Sequence, residues 1–391
     1  MIARPFHVLI APDSFKESMS APEAAAAMAA GWSAGFPEST CRVLPMADGG
    51  EGTAEILRIA LGGVALNRRV RGPLGAPVEA RYTLLDSGKT AVIELAAASG
   101  LALAPPAQRD PFRASTYGTG ELLRDALKRG AAQIILTLGG SATNDGGAGL
   151  AQALGLSLRD KAGCELAPGA AALANLHSVD ASNLDPRLSQ VTITIACDVT
   201  NPLCGPNGAT RIYGPQKGVL PGQVEEMDRN LNHFGTLLEG LSGRSLCAIQ
   251  GMGAAGGAAL PLVAFALAKL ESGFDLVARA SRLEEAISEA DLVLTGEGSM
   301  DRQSAQGKVI SGILGLASHS DTGVVALAGQ LGEGCDSLFA LGLTAVFSIA
   351  PGPRSLDKLL AQAPQLIENR AFNVARCYRH AALRCPRSGP Q

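Results

Sequence analysis

The feature that most constrains this chain is a junction that keeps returning. A short apolar run, rich in Val, Ile and Leu, stops at glycines, hydroxyls and an acid, and the chain then turns helical. "HVLIAPDSFKESMSA" does this first, with Asp13 and Lys16 just past the run. "CRVLPMADGGEGTAEIL" does it again at Asp48 and Glu51, "QIILTLGGSATNDGGAGLAQALG" at Gly139 to Gly147, and "ADLVLTGEGSMDRQSAQGK" at Glu297, Asp301 and Lys308. "VTITIACDVTNP" leaves Asp198 at a similar end. Strands alternating with helices predict right-handed β-α-β units around a mostly parallel sheet. In open sheets of that kind ligands bind beyond the carboxyl ends of the strands. One acid at one strand end is ordinary capping, but acids at four such ends, with lysines nearby, predict a cleft for anions and Mg2+.

The middle of the chain reads differently. "PVEARYTLLDSGKTAVIELAAASG" alternates as two antiparallel strands joined by the turn Asp86-Ser87-Gly88. Further on, "GPNGATRIYGPQKG" is too rich in Pro, Gly and Asn to be core. At 391 residues, two domains are expected. The pattern places a discontinuous doubly wound α/β domain at residues 1–65 and 285–391, an inserted α/β domain at 66–284, and the active site in the cleft between them. Ser20 followed by Glu23 predicts a capping box at the start of the first helix.

Composition excludes several classes. Hydrophobic residues are 47% and charged residues 18%, enough for a large interior, while aromatics are only 4%. A formal charge of -3 without a basic stripe argues against nucleic acid. The N-terminal apolar run is too short for a signal peptide, and "AALPLVAFALA" is too short to span a bilayer. A soluble, cytoplasmic protein is expected. The eight cysteines lack C-x-x-C spacing and the five histidines are scattered, so neither a disulfide framework nor a zinc clip is expected.

The glycine-rich junction at 139–147 admits two readings. Exposed N–H groups at a helix start and close glycine backbone suit a phosphate, with Ser141, Thr143 and Asn144 as donors. Asp145 would repel a bare phosphate, so it suits a magnesium-bound one or a substrate hydroxyl. The same residues also describe a helix cap with close packing. Lys217, in the loop-rich stretch, reads as a phosphate or carboxylate contact or as a solvated lysine. The P-loop pattern is absent, because Gly307-Lys308 precedes Val309. "GMGAAG" at Gly251 to Gly256 matches G-x-G-x-x-G, with Glu271 beyond it, but "SLCAIQ" before it is a poor strand. A tight turn into the next helix is the better reading.

"IAPDSFKESMSA", "PMADGGEGT", "YGTGEL", "LGGSATNDGGAG", "CDVTNPLCGPNGA", "YGPQKG", "TGEGSMDRQSAQGK" and "AVFSIAPGP" stand in one order from Ile10 to Pro353. Together they resemble the bacterial type-1 glycerate kinase family. The resemblance implies a flavodoxin-like domain interrupted by a second α/β domain. It also implies ATP-dependent phosphorylation of D-glycerate, usually giving 2-phosphoglycerate. Phosphoryl transfer needs Mg2+, cationic groups on the phosphates and a carboxylate for the attacking hydroxyl. Asp13, Lys16, Asp48, Asp198 and Asp301 are the catalytic candidates, with Asp198 and Asp301 also the Mg2+ candidates. Gly139, Gly140, Ser141, Thr143, Asn144, Gly146, Gly147, Glu297 and Lys308 are the nucleotide candidates. Which aspartate takes which role stays open. The chain departs from the family in the motif "TGEGSMDRQSAQGK", where it carries Ser299 and Gln306. Phosphorylation at the 3-hydroxyl, a dinucleotide-dependent oxidoreductase and a sugar-acid binding protein are the alternatives. ATP and D-glycerate are the expected partners, with no membrane, and a homodimer is left open.

Overall fold

The computed structural model describes residues 5–305 and 309–384. It divides into two compact units, one of residues 1–48 and 274–391 and one of residues 49–273. Along the chain the strands are β1 (His7–Ile10), β2 (Thr40–Val43), β3 (Val64–Arg71), β4 (Pro77–Leu85), β5 (Thr90–Glu94), β6 (Gln133–Thr137), β7 (Ser157–Arg159) and β8 (Ser178–Asp180). They continue with β9 (Thr192–Ala196), β10 (Lys269–Glu271), β11 (Leu292–Met300), β12 (Gly323–Leu331) and β13 (Ala345–Ser348).

The discontinuous unit is built on one sheet in the order β13-β12-β11-β1-β2, parallel throughout. Counted within the unit, that is the 2-1-3-4-5 order of doubly wound flavodoxin-like folds. The order reverses between β1 and β11, where Ile10 pairs with Leu294. Val8, Ile10, Leu292, Leu294, Val325 and Leu327 are buried with Met28, Trp32 and Ile367 from the covering helices. The first helix, Ala21–Gly35, begins at Ser20, whose side chain and that of Glu23 form the expected capping box. The long last helix, Leu356–Arg384, lies against it. A Cβ on Gly31 would sit 2.1 Å from the Glu368 carbonyl oxygen, so glycine sets how closely these helices approach. Four aromatics gather here: Phe6, Trp32, Phe36 and Tyr378 form a cluster with centroids 5.4 to 6.4 Å apart, Phe6 stacked on Trp32 and the other pairs tilted.

The inserted unit carries a six-stranded sheet, β10-β9-β6-β5-β4-β3, and the small pair β7-β8. Strands β5, β6, β9 and β10 are parallel. The pairs β3-β4 and β4-β5 are antiparallel. The β4-β5 turn is the expected Asp86-Ser87-Gly88, with Asp86 and Ser87 at φ of 54° and 55°. Its core runs from Ile93, Leu122 and Leu136 through Leu150, Ile195, Leu231 and Phe234 to Leu262.

Two differences from the sequence reading have plain causes. The units change at 48/49 and 273/274, not at 65/66 and 284/285. The helix Thr53–Leu61 packs on β4, and the buried Phe274 ring lies against Gly312 of the discontinuous unit. The helix expected after "GMGAAG", over "AALPLVAFALAKL", forms only at Leu260–Phe265, because the tail of that segment becomes β10, paired with β9.

Candidate functional site

In the discontinuous unit the chemistry collects where the strand order reverses. Beyond β1 the chain keeps pairing with β11 for three residues: the Ala11 N–H donates to the Leu294 carbonyl and the Asp13 N–H to the Gly296 carbonyl, both at 2.9 Å. This sets Asp13 beside the end of β11, where Glu297 is 7% exposed. Phe15 and Met19 then close a tight loop through reciprocal backbone bonds of 3.0 and 2.9 Å, with both side chains buried. Glu17, in the left-handed region at φ 65°, makes the turn, and Lys16 projects from it, exposed. Asp48 follows β2 and is partly buried.

These acids act on one another. The Asp13 carboxyl is pushed up to about 7, chiefly by burial, then by the negative charge of Asp48 and, less, of Glu297. The Ser14 N–H, 2.6 Å from Oδ1, and Lys16 pull the other way. A carboxylate near neutrality is what a general base at physiological pH requires. Glu297 accepts a 2.5 Å hydrogen bond from the fully buried Ser304 hydroxyl. Ser304 Oγ in turn accepts from the Asp301 N–H. Asp301 itself lies in the turn after β11, partly buried. Lys308 and Gln306 lie outside the described residues.

In the inserted unit another set of groups lies at the carboxyl ends of parallel strands. Glu94 ends β5, Gly139 follows β6 and Asp198 follows β9. The loop from Gly49 to Gly52 runs across them. A Cβ on Gly139 would stand 2.8 Å from the Gly50 Cα, and one on Gly49 would meet Gly273, Ala196 and the Asp198 carboxylate. Glu94 Oε1 accepts from the Ala54 N–H at 2.9 Å, anchoring the start of the helix 53–61. Its pKa is raised by burial and by Glu51. Asp198 is exposed and accepts from the Gly273 N–H at 3.0 Å.

The junction 139–147 separates into two parts. Gly139 and Gly140 reach the surface, with Ser141 at 7% exposure beside them. The remainder is interior, with Thr143 Oγ1 and Asn144 Oδ1 buried and without a hydrogen-bond partner among the described residues. Thr143 and Asn144 are wholly buried, and Gly146 and Gly147 are packed against a second glycine-rich segment. The Gly146 N–H donates to the Gly256 carbonyl at 2.8 Å. Gly256 has φ +68°, and a Cβ there would lie 2.3 Å from the Thr143 carbonyl oxygen. "GMGAAG" is thus a buttress for the first glycine segment, with a short 3-10 turn at Ala254–Gly256 in place of a dinucleotide loop.

Asp145 departs from its sequence reading. It is fully buried and accepts from the Thr116 N–H (2.8 Å), the Thr116 hydroxyl (2.9 Å), and the Gly147 and Gly149 N–H groups (3.2 Å each). It ties two helix starts together and is closed to magnesium or substrate. Lys217 is no solvated lysine: at 2% exposure its Nζ donates to the Thr143 carbonyl at 2.7 Å. Burial lowers its pKa to about 7 against the pull of Asp145. Asn144 Nδ2 donates to the Thr210 hydroxyl at 2.9 Å. Sequence reasoning missed Glu94 and Ser304. Glu94 alone carried a signal, as the acid closing an otherwise apolar strand.

Among the described residues no three His, Cys, Asp or Glu side chains form a ready metal cage. Magnesium binds through one or two carboxylates and substrate phosphates, so a partly open acid such as Asp48 suits an ion carried mainly by a nucleotide. No helix among the described residues is long and apolar enough to cross a membrane.

Residues 8–379 match the model of the glycerate kinase family. A glycerate kinase of Halalkalibacterium halodurans is 47% identical over 94% of this chain and 97% of its own length. The glycerate 2-kinase of Escherichia coli K12 is 45% identical over 94% and 97%. A solved structure from Salmonella typhimurium LT2, assigned there provisionally as glycerate kinase 2, superposes with a TM-score of 0.85 at 43% identity, covering 97% of this chain and all of that one.

Proposed function

The chain belongs to the glycerate kinase family, and from that premise we propose that it transfers the γ-phosphoryl group of ATP, with Mg2+, to the 2-hydroxyl of D-glycerate. The products are 2-phosphoglycerate and ADP. The observation that carries this reading is Asp13, a carboxylate at the point where the strand order reverses, with a pKa of about 7. There it accepts the proton of the attacking hydroxyl, a role that contributes roughly 10^2 to 10^4 in rate. Asp48 and Glu297 keep its proton affinity high, and Ser304 fixes Glu297. Lys16 supplies positive charge to the substrate carboxylate or the transferring phosphoryl group. Bound with the nucleotide, magnesium would neutralise phosphate charge, with Asp48, Asp198 and Asp301 as the candidate protein ligands. The N–H groups of Gly139 and Gly140 and the Ser141 hydroxyl are the phosphate contacts of the inserted unit.

The test uses ATP, Mg2+ and D-glycerate, with the product passed to enolase. Phosphoenolpyruvate formed with enolase alone supports transfer to the 2-hydroxyl. Product that appears only after phosphoglycerate mutase is added means attack by the 3-hydroxyl. No consumption of ATP refutes the nucleotide assignment.

A further inference from the structure

Lys217 is an anomaly. It lies 74 residues from Thr143 in sequence, yet its ammonium group is buried and donates to the carbonyl oxygen of that residue at 2.7 Å. Taking an ammonium ion out of water costs several kcal/mol unless strong partners repay it. Here the partner is a neutral carbonyl, and Asp145 spends its oxygens on Thr116, Gly147 and Gly149. The Asp145 carboxylate attracts the ammonium, and the hydrogen bond that Lys217 makes goes to the Thr143 carbonyl. Charge pairing accounts for a cation at this place, and the geometry gives it a second task. Thr143 stands two residues beyond Ser141; Lys217 bonds its carbonyl, and Gly256 lies so near that a side chain there would collide with the same oxygen. The turn bearing Lys217 is itself held from behind, where the Arg109 guanidinium donates to the Gln216 carbonyl at 3.1 Å.

We propose that Lys217 is a positioning residue of the phosphoryl transfer: through the Thr143 carbonyl it fixes the direction in which Gly139, Gly140 and Ser141 present their donors to the nucleotide phosphates. This rests on the reading of Gly139–Ser141 as a phosphate contact. Lys217 touches no substrate, and its loss acts on nucleotide affinity before it acts on turnover.

The test compares Lys217→Met, which keeps the volume and removes the donor, with Lys217→Gln, which restores an N–H donor. A double variant, Lys217→Met with Asp145→Asn, removes both charges and keeps one acceptor oxygen for the Thr116 and Gly149 donors. All readings are taken per folded molecule, with the folded fraction from melting curves. Lys217→Met is expected to raise KM for ATP and Kd for the analogue AMP-PNP with Mg2+ at least tenfold, with KM for D-glycerate changed less than twofold. Amide hydrogen exchange should accelerate over residues 139–147, and Lys217→Gln should recover most of the affinity. The double variant should bind AMP-PNP as weakly as Lys217→Met. AMP-PNP affinity within twofold of wild type in either methionine variant overturns the proposal. So does a loss of affinity for both substrates alike, which marks a structural role. Hydrogen exchange of the wild-type protein separates the underlying reading from the proposal. If AMP-PNP leaves the amides of 139–142 unprotected, these residues are not the phosphate contact, and both readings fall together. If it protects them while Lys217→Met binds normally, only the role of Lys217 falls.

Discussion

Replacing Asp13 by Asn should disable the enzyme and stabilise the fold, and the two effects should follow one titration. The carboxyl rises from 3.8 to about 7, and at about 1.4 kcal/mol per unit the ionised form costs the folded protein about 4 kcal/mol. Water reaching this partly open group trims the cost, leaving a gain of about 2 to 4 kcal/mol for the variant above pH 7. The sign follows from the raised value. Between pH 3.8 and 7 the unfolded chain has lost the proton while the folded one retains it, so folding weakens as pH rises through that window. The difference in melting temperature between Asp13→Asn and wild type should therefore be near zero at pH 4, grow to pH 7 and level off above it. Activity runs the opposite way. Wild-type kcat/KM should fall tenfold per unit below about pH 7, and the variant should lose roughly 10^2 to 10^4 at all pH values. Differential scanning fluorimetry without ligands, together with the enolase-coupled assay, reads both. A melting difference that ignores pH, or a variant within tenfold of wild-type turnover, would refute the assignment of Asp13 as the base.

Asp48→Asn removes the largest of the charges that raise Asp13, so the acid limb of kcat/KM should move to lower pH, visible in a profile from pH 5 to 8. Gly256→Ala forces a Cβ to within 2.3 Å of the Thr143 carbonyl at φ +68° and should cost about 3 kcal/mol or more by urea unfolding. Gly243→Ala, at φ +66° with nothing within 4 Å, should cost only about 1 to 2 kcal/mol; equal losses would show that backbone conformation, not the close contact, sets the price. Gly31→Ala drives a methyl into the Glu368 carbonyl at 2.1 Å. It should lower stability to urea by several kcal/mol, and a neutral outcome would mean that the two helices can slide apart freely.

Much of the fold was legible because it rests on local periodicity. The central parallel strands, such as β1, β11 and β12, carry apolar runs, and the β4-β5 hairpin shows itself by alternation and by Asp86-Ser87-Gly88. The boundaries were less legible, since "ADGGEGT" reads as one strand-to-helix junction whichever unit owns it. Only the placement of Gly50 against Gly139 and of Ala54 on Glu94 assigns its second half to the inserted unit. The end of the "AALPLVAFALAKL" helix was hidden for a similar reason: an apolar run suits helix or strand equally, and the free edge of β9 decides for strand at Lys269–Glu271.

The site divides along the same line. Asp13 and Glu297 could be found from sequence because a parallel sheet forces its strand ends to one side, whatever the loops do. The residues from Ser141 to Gly147 could not be sorted, because a phosphate cradle and a buried interlock ask for the same residues. Both need glycine for close backbone approach and short polar side chains for the orphan N–H groups at a helix start. What separates them is a second segment arriving from elsewhere in the chain. Gly256 and Lys217 lie more than 70 residues away and claim the Thr143 carbonyl and the Gly146 N–H. Those groups are spent inside the protein, and the exposed backbone of the junction lies ahead of them, at Gly139 and Gly140. A glycine-rich junction therefore advertises available backbone, and only the distant partners of that backbone decide how much of it remains to bind anything.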